Sequence, residues 1–275
     1  MQPYTQHPVD RWRAQQQETL SDALAEETPI AFFYNGLPYA VMLATPQDLD
    51  DFALGFSISE QIIQHPDELK DLYLLPQADG IEIHLEIPQQ RYAELANKQR
   101  NLTANTGCGL CGTKTLLQVV RHPTPIGIGC TLTDKSLQLA LTHLQHYQPL
   151  NAVTGAIHAA AWVNLAGEIN ELREDVGRHN ALDKLVGTIL KKKIEVNQGF
   201  LLITSRASYE MIQKAATIGI SLIVAISAPT ALAVRLAEES NMTLIGFARG
   251  MNHTIYTHAR RLIHTITEEN NYANG

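Results

Sequence analysis

The chain has 275 residues, 45% of them hydrophobic and 18% charged, a globular composition that excludes general disorder. A chain of this length buries roughly three quarters of its unfolded surface, so no disulfide or metal staple is needed to hold a core. Lys and Arg number 21 against 28 Asp and Glu, a net charge of -7, which argues against non-specific binding to nucleic acid or to an anionic membrane but leaves room for a local basic pocket.

Residues 1–27 begin MQPYTQHPVDRWRAQQQ, polar and without the apolar run of a secretory leader. A short helix is expected over 13–25. Strand-like runs follow at 30–34 and 39–43, and Asn35-Gly36 between them predicts a tight hairpin. Thr45-Pro46 opens a helix whose first turn is favoured by Asp48, Asp50 and Asp51. Ile81, Ile83, Leu85 and Ile87 alternate with polar residues and predict a strand over 81–87, with another over 70–75. Residues 97–112, NKQRNLTANTGCGLCG, are polar, small and glycine-rich and read as a mobile connecting loop. A short helix is expected at 113–121, and Pro123 and Pro125 then mark a boundary.

The second half is more regular. A helix opened by Thr133 is expected over 133–147, then strands at 155–164 and 168–175 around Ala166-Gly167. Helices at 179–192, 208–218 and 229–239 alternate with strands at 200–205, 221–227 and 243–248. The order α-β-β-α-β-α-β-α-β predicts a layered α/β domain. Residues 200–204 and 222–226 are apolar throughout except for Thr204, as befits strands buried on both faces. The fold class is therefore α/β: a smaller α+β domain over 1–112, ending in the cysteine loop, and an α/β domain over 113–275. No charge falls between Lys214 and Arg235, but Pro229 and several hydroxyl residues break the stretch into a strand and a new helix, not a membrane span.

Four places carry chemistry. The first is Cys108-Gly109-Leu110-Cys111 between Gly107 and Gly112. Little side-chain bulk surrounds the sulfurs, and Lys114 favours the thiolate, the reactive form. Three cysteines cannot pair fully, which suits a reducing cytoplasm. A sulfur nucleophile competes here with two buried structural thiols and with a zinc site, for which a second ligand pair is missing. The second is Glu174-Asp175-Val176-Gly177-Arg178-His179-Asn180 at a strand end and helix start, either an anion site at a helix N-terminus or a solvated cap with ion pairs. The third is Thr204-Ser205-Arg206-Ala207-Ser208, suited to a phosphate at the carboxyl end of a strand, or to plain capping by Ser208. Lys214 beyond it reads as a surface charge. The fourth is Phe247-Ala248-Arg249-Gly250-Met251-Asn252 at the last strand, where an Arg beside an aromatic can hold a phosphate and stack on a base.

These blocks, in this order, resemble one family: the formate dehydrogenase accessory sulfurtransferases, the FdhD sulfur carriers. The likeness runs from about residue 30 to 249 and includes CGLCG, TGAIHAAAW, EDVGRHNALDKLVG, TSRASYEMIQKAA, SAPTALAVRLA and TLIGFARG. It implies a homodimeric, cytoplasmic carrier that takes sulfur from a cysteine desulfurase as a persulfide. The sulfur then goes to the molybdenum cofactor, bis-molybdopterin guanine dinucleotide, before that cofactor enters formate dehydrogenase. By this resemblance Cys108 bears the persulfide with Cys111 as its partner, and Phe247 to Asn252 bind the cofactor as a substrate. Arg178, Arg206 and Arg249 are expected near the mouth of the same sheet, His179 is expected among the cofactor-binding residues, and no permanently bound metal is expected. A cofactor-binding chaperone without sulfur chemistry is the alternative.

The resemblance also implies a C-terminal fold similar to cytidine deaminase, which raises a deaminase as a rival. A zinc deaminase needs H-x-E and P-C-x-x-C at two helix starts. Here those starts read Arg178-His179-Asn180-Ala181 and Ser205-Arg206-Ala207-Ser208, and His158-Ala159-Ala160 also lacks the Glu.

Overall fold

The computed structural model describes residues 1–103 and 122–264. In the first half these are strands β1 (Tyr4–Arg13), β2 (Gln16–Ala25), β3 (Thr28–Tyr34) and β4 (Leu37–Ala44), helix α1 (Leu49–Ser59), strands β5 (Asp71–Gln77) and β6 (Gly80–Glu86), and helix α2 (Gln89–Thr103). The second half holds β7 (Leu132–Thr133), α3 (Asp134–His143), α4 (Pro149–Thr154), β8 (His158–Asn164), β9 (Ile169–Asp175) and α5 (Arg178–Lys191). Then come β10 (Gly199–Ile203), α6 (Tyr209–Thr217), β11 (Leu222–Ala225), α7 (Ala231–Glu239), β12 (Thr243–Arg249), β13 (Asn252–Thr257) and β14 (Leu262–Ile263).

Among the described residues the main sheet has the order β13-β12-β11-β10-β8-β9. β10, β11 and β12 run parallel, while β8, β9 and β13 pair antiparallel. Alternate residues of the central strands serve opposite faces. Leu201, Ile203 and Ile223 pack with Leu182 and Leu185 of α5 and with α6 and α7. Phe200, Leu202 and Val224 pack with Leu137 and Ala140 of α3. The result is three layers, helix on sheet on helix, as the alternating elements predict.

A second sheet, β4-β3-β6-β5, lays Phe32, Tyr34, Ile83 and Leu85 on Phe52 and Phe56 of α1. The hairpin at Asn35-Gly36 forms as predicted, both residues taking positive φ. α1 is the shared element, since its other side crosses α5 at two glycines. A Cβ at Gly55 would sit 1.7 Å from the Asp183 carbonyl oxygen, and one at Gly187 1.9 Å from that of Asp51. Overpacking on this scale costs about 1–3 kcal/mol or more, so Gly55→Ala is expected to lower the denaturation midpoint, whereas Gly36→Ala, with open space at its Cβ, meets only the strain of its φ of 81°.

Two sequence expectations need correction. Residues 13–25 are not a helix but the turn and second strand of a hairpin, paired from Tyr4↔Ala25 to Arg13↔Gln16 with Ala14 and Gln15 left-handed at its tip. Cross-strand pairing decides here over the helix propensity of Ala, Gln and Glu. The loop expected from 97 is helical as far as Thr103; its remainder, the 112/113 boundary and the helix expected at 113–121 lie outside the described residues. β13 and α4 were not foreseen. Residues 214–235 are the end of α6, β11 and the start of α7, and among the described residues no helix is long and apolar enough to cross a membrane.

Candidate functional site

Most of the acidic motif after β9 turns inward. The Glu174 carboxylate accepts the N–H groups of Leu150 (2.9 Å) and Asn151 (2.8 Å) at the start of α4, and burial raises its pKa. Asp175 accepts from the N–H of Thr45 (3.0 Å) and of Gly177 (2.7 Å) and from the Asn180 amide (3.0 Å). It also pairs with Lys184 at 2.7 Å, both side chains wholly buried. Lys184 donates to the Thr45 carbonyl at 2.8 Å, and the Asn180 amide to that of Leu43 at 2.9 Å. The motif is therefore a bolt between the end of β4 and the main sheet. Neither of the two readings open to it, an anion site or a solvated cap, describes Glu174, Asp175, Asn180 and Lys184, which are buried and paired internally.

Lys214 is also internal, contrary to its reading as a surface charge. It pairs with Asp183 at 2.9 Å and Glu60 at 3.1 Å, and its side chain is 10% exposed. Burial opposes its charge, but the two carboxylates outweigh that and raise its pKa. The cause lies in the packing of α6 against α1 and α5, which buries Asp183 and so demands a cation beside it.

What remains outward lies around the carboxyl ends of the parallel strands, where an open α/β sheet binds ligands. A cavity of about 570 Å³ opens there, lined by Gln148, Asn151, His158, Thr204, Arg249 and Gly250 among others. Thr204 follows β10, Ile226 follows β11, and Ala248 to Gly250 end β12, so three successive strands supply its floor. Arg249 donates from Nε to the Ile226 carbonyl at 3.1 Å, which holds the guanidinium at the mouth. His158 opens β8 and is half-buried; burial first, and then the charge of Arg178, lower its pKa. It is thus a neutral imidazole at neutral pH, able to donate one hydrogen bond and accept another. The Arg178 Nε is buried without a hydrogen-bond partner among the described residues.

The structure brings Ala248, Arg249 and Gly250 into the cavity wall and Arg178 within electrostatic reach of it. Phe247, Met251 and Asn252 do not line it. They stand exposed on the β12–β13 turn beside it, Phe247 at φ 51° in a break of the ladder. Arg206 is exposed on the loop two residues past Thr204. His179 faces elsewhere. It pairs with Glu210 at 2.6 Å, lowering that carboxyl's pKa, and lines a separate cavity of about 330 Å³ between α1, α5 and α6. The Ser208 hydroxyl makes no capping bond to α6, whereas Thr230 caps α7 by accepting from the Ala233 N–H at 3.2 Å. His158 was missed as a site residue; its one signal is a histidine at the first position of the apolar strand HAAAWVN.

Cys108 and Cys111 lie outside the described residues. Cys130 is buried, its Sγ donating to the Gly199 carbonyl at 3.2 Å. Among the described residues no group of three or more His, Cys, Asp and Glu is placed to hold a metal ion.

Comparison with known proteins bears on all of these elements together. Residues 25–263 match the FdhD/NarQ family. The chain is 48% identical to the sulfur carrier protein FdhD of Cupriavidus necator, over 93% of its own length and 89% of the relative's. It is also 48% identical to that of Xanthomonas euvesicatoria pv. vesicatoria, over 92% and 90%. In structure it is similar to a chain from Desulfotalea psychrophila assigned as a formate dehydrogenase accessory protein. That match has a TM-score of 0.75 and 23% identity and covers 94% of this chain and 99% of the other. The extent of the sequence match, carried on the same folded frame, makes this chain a member of the FdhD/NarQ family.

Proposed function

We propose that the protein carries sulfur to the molybdenum cofactor destined for formate dehydrogenase. Cys108 is the carrier and the cavity at the ends of β10–β12 receives the cofactor as substrate. In the loading step the Cys108 thiolate attacks the outer sulfur of a persulfide on a cysteine desulfurase. The new S–S bond forms as the donor's S–S bond breaks, and the donor's cysteine leaves as a thiolate. Delivery breaks the Cys108 S–S bond, whose electron pair returns to the Cys108 thiolate; the outer sulfur forms a bond to the metal of the reduced cofactor, which supplies the two electrons that bring it to the sulfide level. Cys111 acts as its auxiliary, and the protein works as a homodimer in the cytoplasm.

One observation carries the acceptor half of this reading: a small-molecule-sized cavity that joins the Arg249 guanidinium to the neutral imidazole of His158. A negatively charged chain thereby offers an anionic nucleotide a local cation and an uncharged donor. The strand order, with an antiparallel pair beside three parallel strands, supports the deaminase-like frame without the residues of a deaminase.

GDP, a fragment of the cofactor, tests the site. A hydrogen bond to a charged group is worth about 1.5–3 kcal/mol, so Arg249→Ala is expected to weaken GDP binding by about tenfold or more in calorimetry. Arg206→Ala should weaken it less, because its side chain stands outside the cavity wall. Sulfur loading on Cys108 should be unchanged in both. Unchanged GDP affinity for Arg249→Ala would remove the cavity from the reading.

A further inference from the structure

The four-stranded sheet has one face on α1 and one bare face. On the bare face the register sets Ala31 beside Val41 and Glu82, sets Phe33 beside His84, and sets His84 and Glu82 beside Tyr73 and Leu75. Phe33, His84 and Tyr73 form a continuous stack, with ring centroids 4.7 and 4.8 Å apart. This sheet is mixed, β3 and β6 running parallel and the two outer pairs antiparallel, and a sheet with one face in water normally alternates apolar-in with polar-out. Here four outward positions are themselves large and apolar: Val41 is 68% exposed, Leu43 53%, Tyr73 50% and Leu75 43%. A contiguous apolar patch of this kind marks a protein-binding face.

Charge identifies the occupant. β3, β4, β5 and β6 contain no Lys or Arg at any position, while Asp71, Glu82 and Glu86 share the bare face. A second copy would set these acids against their own kind, at a cost that like-charge contacts impose on an interface. The face fits a partner with an apolar centre ringed by Lys and Arg. α2 begins three residues after β6 ends and leads along the chain to Cys108, whereas the acceptor cavity belongs to the other sheet.

We infer that this face docks the sulfur donor, a protein with a basic-rimmed apolar patch; the inference rests on the sulfur-carrier reading. Cysteine desulfurase is the probe, with two double variants at exposed positions: Val41→Asp with Leu75→Asp, and Asp71→Lys with Glu86→Lys. Each is expected to weaken desulfurase binding by about tenfold or more, the loss typical of a charge set into an apolar contact or against a basic rim. Loading of Cys108 from the desulfurase should fall in step, while loading from inorganic polysulfide and the sedimentation coefficient stay at wild-type values. Unchanged desulfurase affinity in both variants overturns the inference. So does dissociation of an oligomer in the first variant, which would assign the face to a second copy. Failure of wild-type Cys108 to take sulfur even from polysulfide would instead strike the carrier reading, and the affinity measurement would still decide the docking face.

Discussion

Cys108→Ala is expected to abolish sulfur loading and, in a strain lacking the endogenous protein, formate dehydrogenase activity. No other residue of the cysteine loop combines a thiol with glycines on both sides, Gly107 and Gly109, which leave the sulfur open to a bulky donor. Mass spectrometry after incubation with a desulfurase and cysteine should find wild-type Cys108 heavier by one sulfur atom and the variant unchanged. Cys111→Ala should retain part of the activity. Cys130→Ala should load normally, because that thiol is buried against the Gly199 carbonyl, far from solvent. Equal complementation by Cys108→Ala and wild type would end the carrier reading and favour a chaperone that only binds the cofactor.

The largest effect on stability is expected at Lys184→Met. Its ammonium sits between Asp175 and the Thr45 carbonyl with no solvent contact. Removing one member of a buried pair leaves the other charge uncompensated and costs about 3–5 kcal/mol. Chemical denaturation should show that loss, with the end of β4 released from β9 as its structural consequence. Lys192→Ala serves as the contrast: its partner Glu171 is met at the surface, the lysine side chain is 54% exposed, and a loss of about 0–1 kcal/mol is expected. Equal losses in the two variants would mean that the bolt contributes no more than a surface pair.

The amino-acid sequence alone determined the elements whose signals are local. Asn35-Gly36 turns because both positions accept positive φ, and the central strands were legible because burial on both faces leaves every position apolar. The layered α/β class followed from alternating strands and helices, and the family from long motifs read in order. Only the tertiary structure decided what depends on partners far along the chain. Residues 13–25 carry helix-forming side chains, yet pair with 4–13 as a strand. Lys214 looks solvated beside its neighbours until Asp183 and Glu60 arrive on two other helices. Arg178 and His179 are adjacent in sequence but serve different places, because successive residues of a helix start point about 100° apart. His158 gained its neutral state from burial and from Arg178, twenty positions on, a proximity that only the β8–β9 pairing creates. A polar residue's role is set by which charges surround it, and that is a property of packing, whereas periodicity records only which side of an element faces the core.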